Sequence, residues 1–353
     1  MTGSMTSSPS PLPGDAWSAH VEEYLTALRR GDRSAALALV RRLQQRGHDV
    51  LDIIHGLLAP AQLRVGELWV ADVWSVAQEH AATAISEAVL TTLAMEREQH
   101  ARPPQDAPSV VVSCVEQEWH ALPALMLTEH LRADGFAVSY LGANASAQGL
   151  VRHIHDTGPR AVLLSCSLAA FLPLARRQVE AVRESGTPVV VGGSAFDAEG
   201  RRAAKMGATA FARTATDVAA VLGRLPTAVP PAPPLTHPGA EEAYVVFSDR
   251  ESLADDVERL MLQALAIESP RVTHAPGWVR VLDDQLPHLV GSVAGALVCD
   301  DPTIVADATG WAEVVLRHRG APPGTGPALR AALREALQGL PVATRLVPEV
   351  EPA

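Results

Sequence analysis

The hydrophobic grammar of the chain changes twice. From Trp17 to about Glu98, apolar residues recur at three- and four-residue steps. Trp17, Val21, Tyr24, Leu25 and Leu28 share one face, and Ser34–Gln45, Asp49–Arg64 and Ser75–Met95 continue in the same style. That period is the mark of amphipathic helices. Gly31, Gly47 and Gly66 read as turn or helix-end glycines between them. Four helices with short connections predict a helical bundle over residues 15–100, behind a polar, disordered leader (1–14).

The run ARPPQDAP ends that pattern, and short apolar runs then alternate with helical stretches. The runs are SVVVSCV (109–115), FAVSYLG (136–142), AVLLSCS (161–167), PVVVGG (188–193) and ATAFA (208–212). Helices are expected over about 122–133, 147–157, 172–184, 198–206 and 216–223. Val- and Leu-rich strands without polar alternation are buried on both faces, and their alternation with helices makes the sheet parallel. Residues 106–224 therefore predict a Rossmann-like, doubly wound, five-stranded parallel sheet. LPTAVPPAPPLTHPG (225–239) reads as a semi-rigid, Pro-rich linker. Helical faces then return, at Leu253–Leu265, Leu282–Val293, Ile304–Val315 and Leu329–Leu340, and predict an all-helical domain over 240–345. The fold class is α/β plus α.

Composition narrows the function. A net charge of -11 and a pI of about 5.6 argue against direct binding of nucleic acid, which needs clustered Lys and Arg. Three scattered cysteines, Cys114, Cys166 and Cys299, form no disulfide framework and suit a reducing cytoplasm. No stretch reaches the ~20 apolar residues of a membrane helix.

Chemistry is expected at the carboxyl ends of the strands, where a doubly wound sheet binds its ligand. The loop after the first strand reads CVEQEWHALP and carries Glu118 and His120, with no glycine-rich phosphate fingerprint. An exposed imidazole ligates metal, and a carboxylate that accepts its other N–H fixes the tautomer and raises its basicity. Leu141-Gly142, Ser165-Cys166-Ser167 and Gly192-Gly193 end the next three strands with small residues. Together they leave a slot of small residues beside the sheet.

These residues resemble the B12-binding module of methionine synthase and its relatives, whose loop motif is Asp-x-His-x-x-Gly. Here the acid is Glu118, the histidine is His120, and Pro123 replaces the glycine. The resemblance implies cobalamin with His120 as the cobalt ligand, its dimethylbenzimidazole base displaced into a slot lined by Ser165, Ser167, Gly192 and Gly193. A second pattern lies in the bundle, where Trp69 is followed after nine residues by Glu79-His80. It resembles B12-dependent photoreceptors of the CarH/LitR type, in which the Trp covers the adenosyl face and the Glu-His pair completes the pocket. Adenosylcobalamin, light sensing and a light-dependent homodimer or homotetramer are then implied, with no catalytic residue. Val70 follows Trp69 where such proteins can offer a second His. Only the leader stands before the bundle, so no DNA-reading domain is expected.

The order of B12 module, linker and helical domain resembles photocobilins, which pair cobalamin with biliverdin. Arg271, His274, Arg280 and His288 are then candidates to hold the bilin, and Cys299 reads as a buried thiol. A corrinoid methyl carrier, the small subunit of a mutase and a reporter of B12 abundance are the other classes that the His120 loop serves.

Overall fold

The computed structural model describes residues 14–100, 104–267 and 277–349. It divides into two compact units, one of residues up to Gln105 with Leu125–Gly135, the other of Asp106–Ala124 with Phe136 onward. Among the described residues no helix is long and apolar enough to cross a membrane.

The first unit is the helical bundle: α1 (Gly14–Arg29), α2 (Arg33–Gln45), α3 (Val50–Ile53), α4 (Ala59–Val70) and α5 (Val76–His100). Asp32 caps α2 by accepting from the Ala35 N–H, and Asp49 and Asp52 form a capping box on α3. Tyr24, Leu28, Leu39, Leu43, Ile53, Leu57, Leu58 and Leu90 are buried at its centre. The buried Tyr24 hydroxyl donates to Ser86 at 3.3 Å, and burial pushes its pKa up to about 12. A π-helical turn, Ile54–Leu58, joins α3 to α4. There Gly56 passes so close beneath Trp17 that an added Cβ would lie 2.3 Å from the indole. Gly66, expected at a helix end, sits inside α4 with open space around it. The latter part of α6 (Leu122–Ala133) also belongs to this unit. Its Glu129 is fully buried between Arg97 (3.1 Å) and Arg132 (2.7 Å).

The second unit is built on β1 (Ser109–Cys114), β2 (Ala137–Gly142), β3 (Ala161–Ser165), β4 (Val189–Gly192) and β5 (Ala210–Phe211), all parallel in the order β2-β1-β3-β4-β5. Helices α7 (Ala147–Thr157), α8 (Leu172–Glu184), α9 (Arg201–Lys205) and α10 (Ala215–Arg224) connect and flank the strands. β1, β3 and β4 are buried nearly end to end, as expected of strands covered on both faces. The helix expected over 198–206 shortens to α9 because Gly200 takes a left-handed φ of 71° at its start.

Residues 225–239 lie along α8 and are tied to it. Arg176 donates to the Pro233 carbonyl (2.6 Å), Arg183 to Pro230 (3.0 Å), and the Val229 N–H to Gly186 (3.0 Å). The C-terminal helices follow: α11 (Gly239–Ser248), α12 (Arg250–Ala264), α13 (Gly277–Cys299), α14 (Thr303–His318), α15 (Thr325–Ala336) and α16 (Pro341–Leu346). They share one continuous apolar core with the sheet. The buried α13 is the contact element. Gly291 and Gly295, one helical turn apart, press on the short 3₁₀ turn Ala169–Phe171 after β3, and a Cβ on Gly295 would stand 2.3 Å from the Ala169 carbonyl.

Candidate functional site

The strand order reverses between β1 and β3, so the ligand crevice of this sheet opens between the loops that follow those two strands. Strand register brings their ends together: Cys114 pairs with Ser165, and Ser165 with Gly192. The loop after β1 begins with a turn closed by Glu118 N–H to the Val115 carbonyl at 2.9 Å. Gln117 holds a φ of 65° there, a left-handed conformation costly for a residue with a Cβ and common at functional loops. Neighbouring groups over-determine it. Gln117 N–H donates to the Asn144 side chain (2.9 Å), and Asn144 N–H to the Glu118 carbonyl (3.1 Å). From α8, fully buried Gln178 accepts from Glu116 N–H (3.0 Å) and donates to the Ala145 carbonyl (2.9 Å).

This scaffold presents Glu118 and His120. The Glu118 side chain is completely buried, whereas His120 is 56% exposed. One carboxylate oxygen contacts the His120 Nδ1 (2.5 Å) and backbone N–H (3.0 Å). The other accepts from the Ser167 N–H (2.8 Å) and the Leu168 N–H (3.1 Å), both in the loop after β3. Burial alone would raise the Glu118 pKa. The hydrogen bonds from His120 and Ser167 outweigh it and hold the carboxyl below its ordinary value. A fixed anion therefore grips Nδ1–H and leaves the lone pair on Nε2, the arrangement that makes an imidazole a strong metal ligand.

The other expected residues sit as follows. Leu141 and Gly142 end β2, where the pairing slips between Val112 and Ser113 so that Ser113 meets Gly142. Ser165 is buried within β3, and the Ser167 carbonyl accepts from the Ser194 hydroxyl (2.9 Å). The Cβ sides of both glycines face backbone: the Ala212 carbonyl stands 2.9 Å from Gly192's and the Cys166 carbonyl 2.2 Å from Gly193's. Close approach of neighbouring loops thus accounts for both glycines.

In the bundle unit, Trp69 lies in the last turn of α4 and Glu79-His80 in the first turn of α5, across the turn 71–75. Trp69 and Val70 are half-buried. Glu79 accepts from Thr83 (2.9 Å), which accepts in turn from Gln62 (2.6 Å), and its second oxygen contacts His80 Nδ1. Gln62, Thr83, Glu79 and His80 thus form one local cluster, with Trp69 on the other side of the turn 71–75.

The C-terminal helices reach the His120 loop. A cavity of about 290 Å³ lies between Gln117, Trp119, Ala170 and Phe171 on one side and Arg250, Glu251, Pro287 and His288 on the other. Burial, then the neighbouring His120, holds His288 below the usual imidazole pKa. Of the other candidates in this region, Arg280 is exposed, and Arg271 and His274 lie outside the described residues. Cys299 is buried and burial pushes its thiol up to about 12, so it is a poor nucleophile. Gln178, Asn144 and Arg250 escaped the sequence reading. Each acts through a partner far away in the chain.

The chain matches a family described as B12 binding domain over residues 108–222, and a second family of the same description over residues 21–94. It is a cobalamin-binding protein. The first B12-binding domain is the sheet with the His120 loop, and the second is the bundle. No curated protein sequence matches the chain. Among solved structures it is similar to the monomethylamine corrinoid protein of Methanosarcina barkeri, at 19% identity and a TM-score of 0.50, over 58% of this chain and 97% of that one. A cobalamin-binding protein of Desulfitobacterium hafniense DCB-2 matches at 21% identity and TM-score 0.32, over 58% and 97% of the two chains. The methanol:cobalamin methyltransferase complex MtaBC of M. barkeri matches at 17% and 0.31, over 62% and 87%. At 19% identity the likeness to the monomethylamine corrinoid protein is one of fold. The donor set suits cobalamin: among the described residues no three metal-binding side chains converge, and a corrin brings its own four nitrogens, so that one imidazole on a buried carboxylate suffices.

Proposed function

We propose that the chain holds cobalamin with the dimethylbenzimidazole base off and His120 as the lower cobalt ligand, and serves as a corrinoid carrier. The observation that carries this reading is the buried Glu118 carboxylate, which holds the exposed His120 ring by Nδ1 at the sheet's switch point. When bound, the cofactor supplies a weak cobalt–carbon bond that either hands over a methyl group or breaks in visible light. Within this reading, Glu118 orients His120 and keeps Nε2 basic, while Gln117, Asn144 and Gln178 hold the loop. The test is electron paramagnetic resonance of the Co(II) form, with the protein labelled with ¹⁵N-histidine. The nitrogen splitting should change with the label and vanish in His120→Ala. A splitting indifferent to both would sink the assignment.

Methyl carriage is the reading supported by the fold shared with the monomethylamine corrinoid protein. A light receptor is the second reading, favoured by Trp69 at the end of α4 and the Glu79-His80 pair at the start of α5, which flank one turn of the bundle. It would hold adenosylcobalamin, with biliverdin as a second, non-covalent chromophore and light-dependent assembly as its output. Absorption spectra of the chain with methylcobalamin, adenosylcobalamin and biliverdin, before and after green illumination, separate the two. Retained biliverdin and a photoproduct distinct from that of free cofactor select the receptor. Preference for methylcobalamin, with no bilin bound, selects the methyl carrier.

A further inference from the structure

Helices α12 and α13 lie outside both matched B12-binding domains, yet they meet the two loops that hold the Glu118–His120 pair. On the loop after β1 the contact is Arg250. Its guanidinium donates to the Gln117 side-chain carbonyl at 3.3 Å. The same group is braced by the Phe247 carbonyl (3.0 Å) and ring (4.6 Å), with Glu251 3.6 Å away. Gln117 is the residue held at a φ of 65°, one position before Glu118 and three before His120. Such a conformation persists only while its surroundings over-determine it. The Asn144 side chain holds the Gln117 backbone, and Arg250 holds the Gln117 side chain.

On the loop after β3 the contact is α13. Ser167 and Leu168, whose N–H groups donate to the buried Glu118 carboxylate, run directly into the turn Ala169–Phe171. Added Cβ atoms on Gly291 and Gly295 would stand 2.9 Å from the Ala170 Cβ and 2.3 Å from the Ala169 carbonyl, so helix and turn are in close contact. Phe171 and His288 extend that contact edge to face, with ring centroids 5.7 Å apart. Close-packed interiors transmit displacement, so a shift of α13 reaches the donors that fix Glu118.

We propose that the C-terminal helices set the aim of the cobalt ligand, with Arg250 as a positioning residue that acts on His120 through Gln117. Helix α12 fixes the loop just before Glu118, and α13 fixes the turn behind the Ser167 and Leu168 donors. His120 takes its orientation from both. The proposal rests on His120 ligation as proposed above, and adds to it a control exerted from outside the B12-binding domains.

The test is a double-mutant cycle on the full chain, read by equilibrium titration with methylcobalamin. Arg250→Ala should weaken binding by about tenfold (about 1.4 kcal/mol) where His120 is present, and by less than about twofold in the His120→Ala background. In the Co(II) form with ¹⁵N-histidine, the share of the signal that fails to follow the label should rise in Arg250→Ala. Gln117→Ala removes the same link from the loop side and should reproduce both changes. Combining the two substitutions should cost no more than either alone. The Gln117 variant decides the matter if Arg250→Ala does not fold. Equal losses in both backgrounds would make Arg250 a contact of the cofactor or of the fold, and no loss in either would make the link idle. Each overturns the proposal. A His120→Ala chain that binds as tightly as wild type, with its splitting unchanged, would instead overturn the proposed function.

Discussion

The chain contains two Glu–His pairs, and they differ in what surrounds the carboxylate. Glu118 is wholly buried and takes four hydrogen bonds: two from His120 and two from backbone N–H groups of the loop after β3. Glu79 keeps a quarter of its side chain exposed, and its partner His80 is 74% exposed. The first pair is a fixed electrostatic device because a desolvated charge must have its partners in place. The second is a surface cluster anchored through Thr83 and Gln62. Burial of the acid, more than the presence of a histidine, separates a fixed Glu–His pair from a loosely held one.

The largest expected effect comes from breaking the first pair. Glu118→Leu leaves the Ser167 and Leu168 N–H groups without their acceptor. Each buried unsatisfied donor costs about 1–3 kcal/mol, so stability should drop by on the order of 4 kcal/mol, read as a shifted urea midpoint. A loss under about 1 kcal/mol would mean that the loop re-pairs and the carboxylate is not its keystone.

Acid should close that gap. The folded Glu118 pKa lies below the ordinary 4.5, so the unfolded chain binds the proton first as pH falls. Its contribution is fully present above about pH 4.5 and disappears as pH falls through the folded value. The difference in stability between wild type and Glu118→Gln should therefore shrink as pH falls below about 4.5. A difference that grows below that pH would contradict the direction of the shift.

The contrast also shows what a sequence can reveal. The Val-rich runs of β1, β3 and β4 are legible because burial on both faces leaves no polar alternation, and all five expected strands form one parallel sheet. The pairing of Glu118 with His120 is legible because the two stand two residues apart on one loop. Their supports are not. Ser167 and Leu168 act through backbone N–H groups that any residue has, and Gln178 looks like one more polar residue on an amphipathic helix. The stretch 225–239 reads as a spacer because its partners, Arg176 and Arg183, stand on α8 and bind carbonyls, which leave no trace in side-chain pattern. The π turn depends on Gly56 meeting Trp17, 39 residues earlier, and the helical period cannot register that contact.

In the second pair the expected effects are smaller and depend on the ligand. Trp69→Ala should weaken adenosylcobalamin by roughly tenfold, about 1.4 kcal/mol, and leave methylcobalamin nearly unchanged if the indole covers the larger upper group. Equal loss for both would place Trp69 in bundle packing instead.

The smallest effect belongs to His80. With 74% of its side chain exposed, its ion pair with Glu79 contributes about 0–1 kcal/mol, so His80→Ala should move the thermal midpoint of the ligand-free chain hardly at all. The informative quantity is the difference between ligand-free and cobalamin-bound chain. A residue that matters only when the upper face is occupied will show its cost only in the bound form, where the same substitution should lower the midpoint and speed cofactor release. A change of equal size with and without cobalamin would make the pair a fixed structural element, and the contrast with Glu118–His120 would then reduce to depth of burial alone.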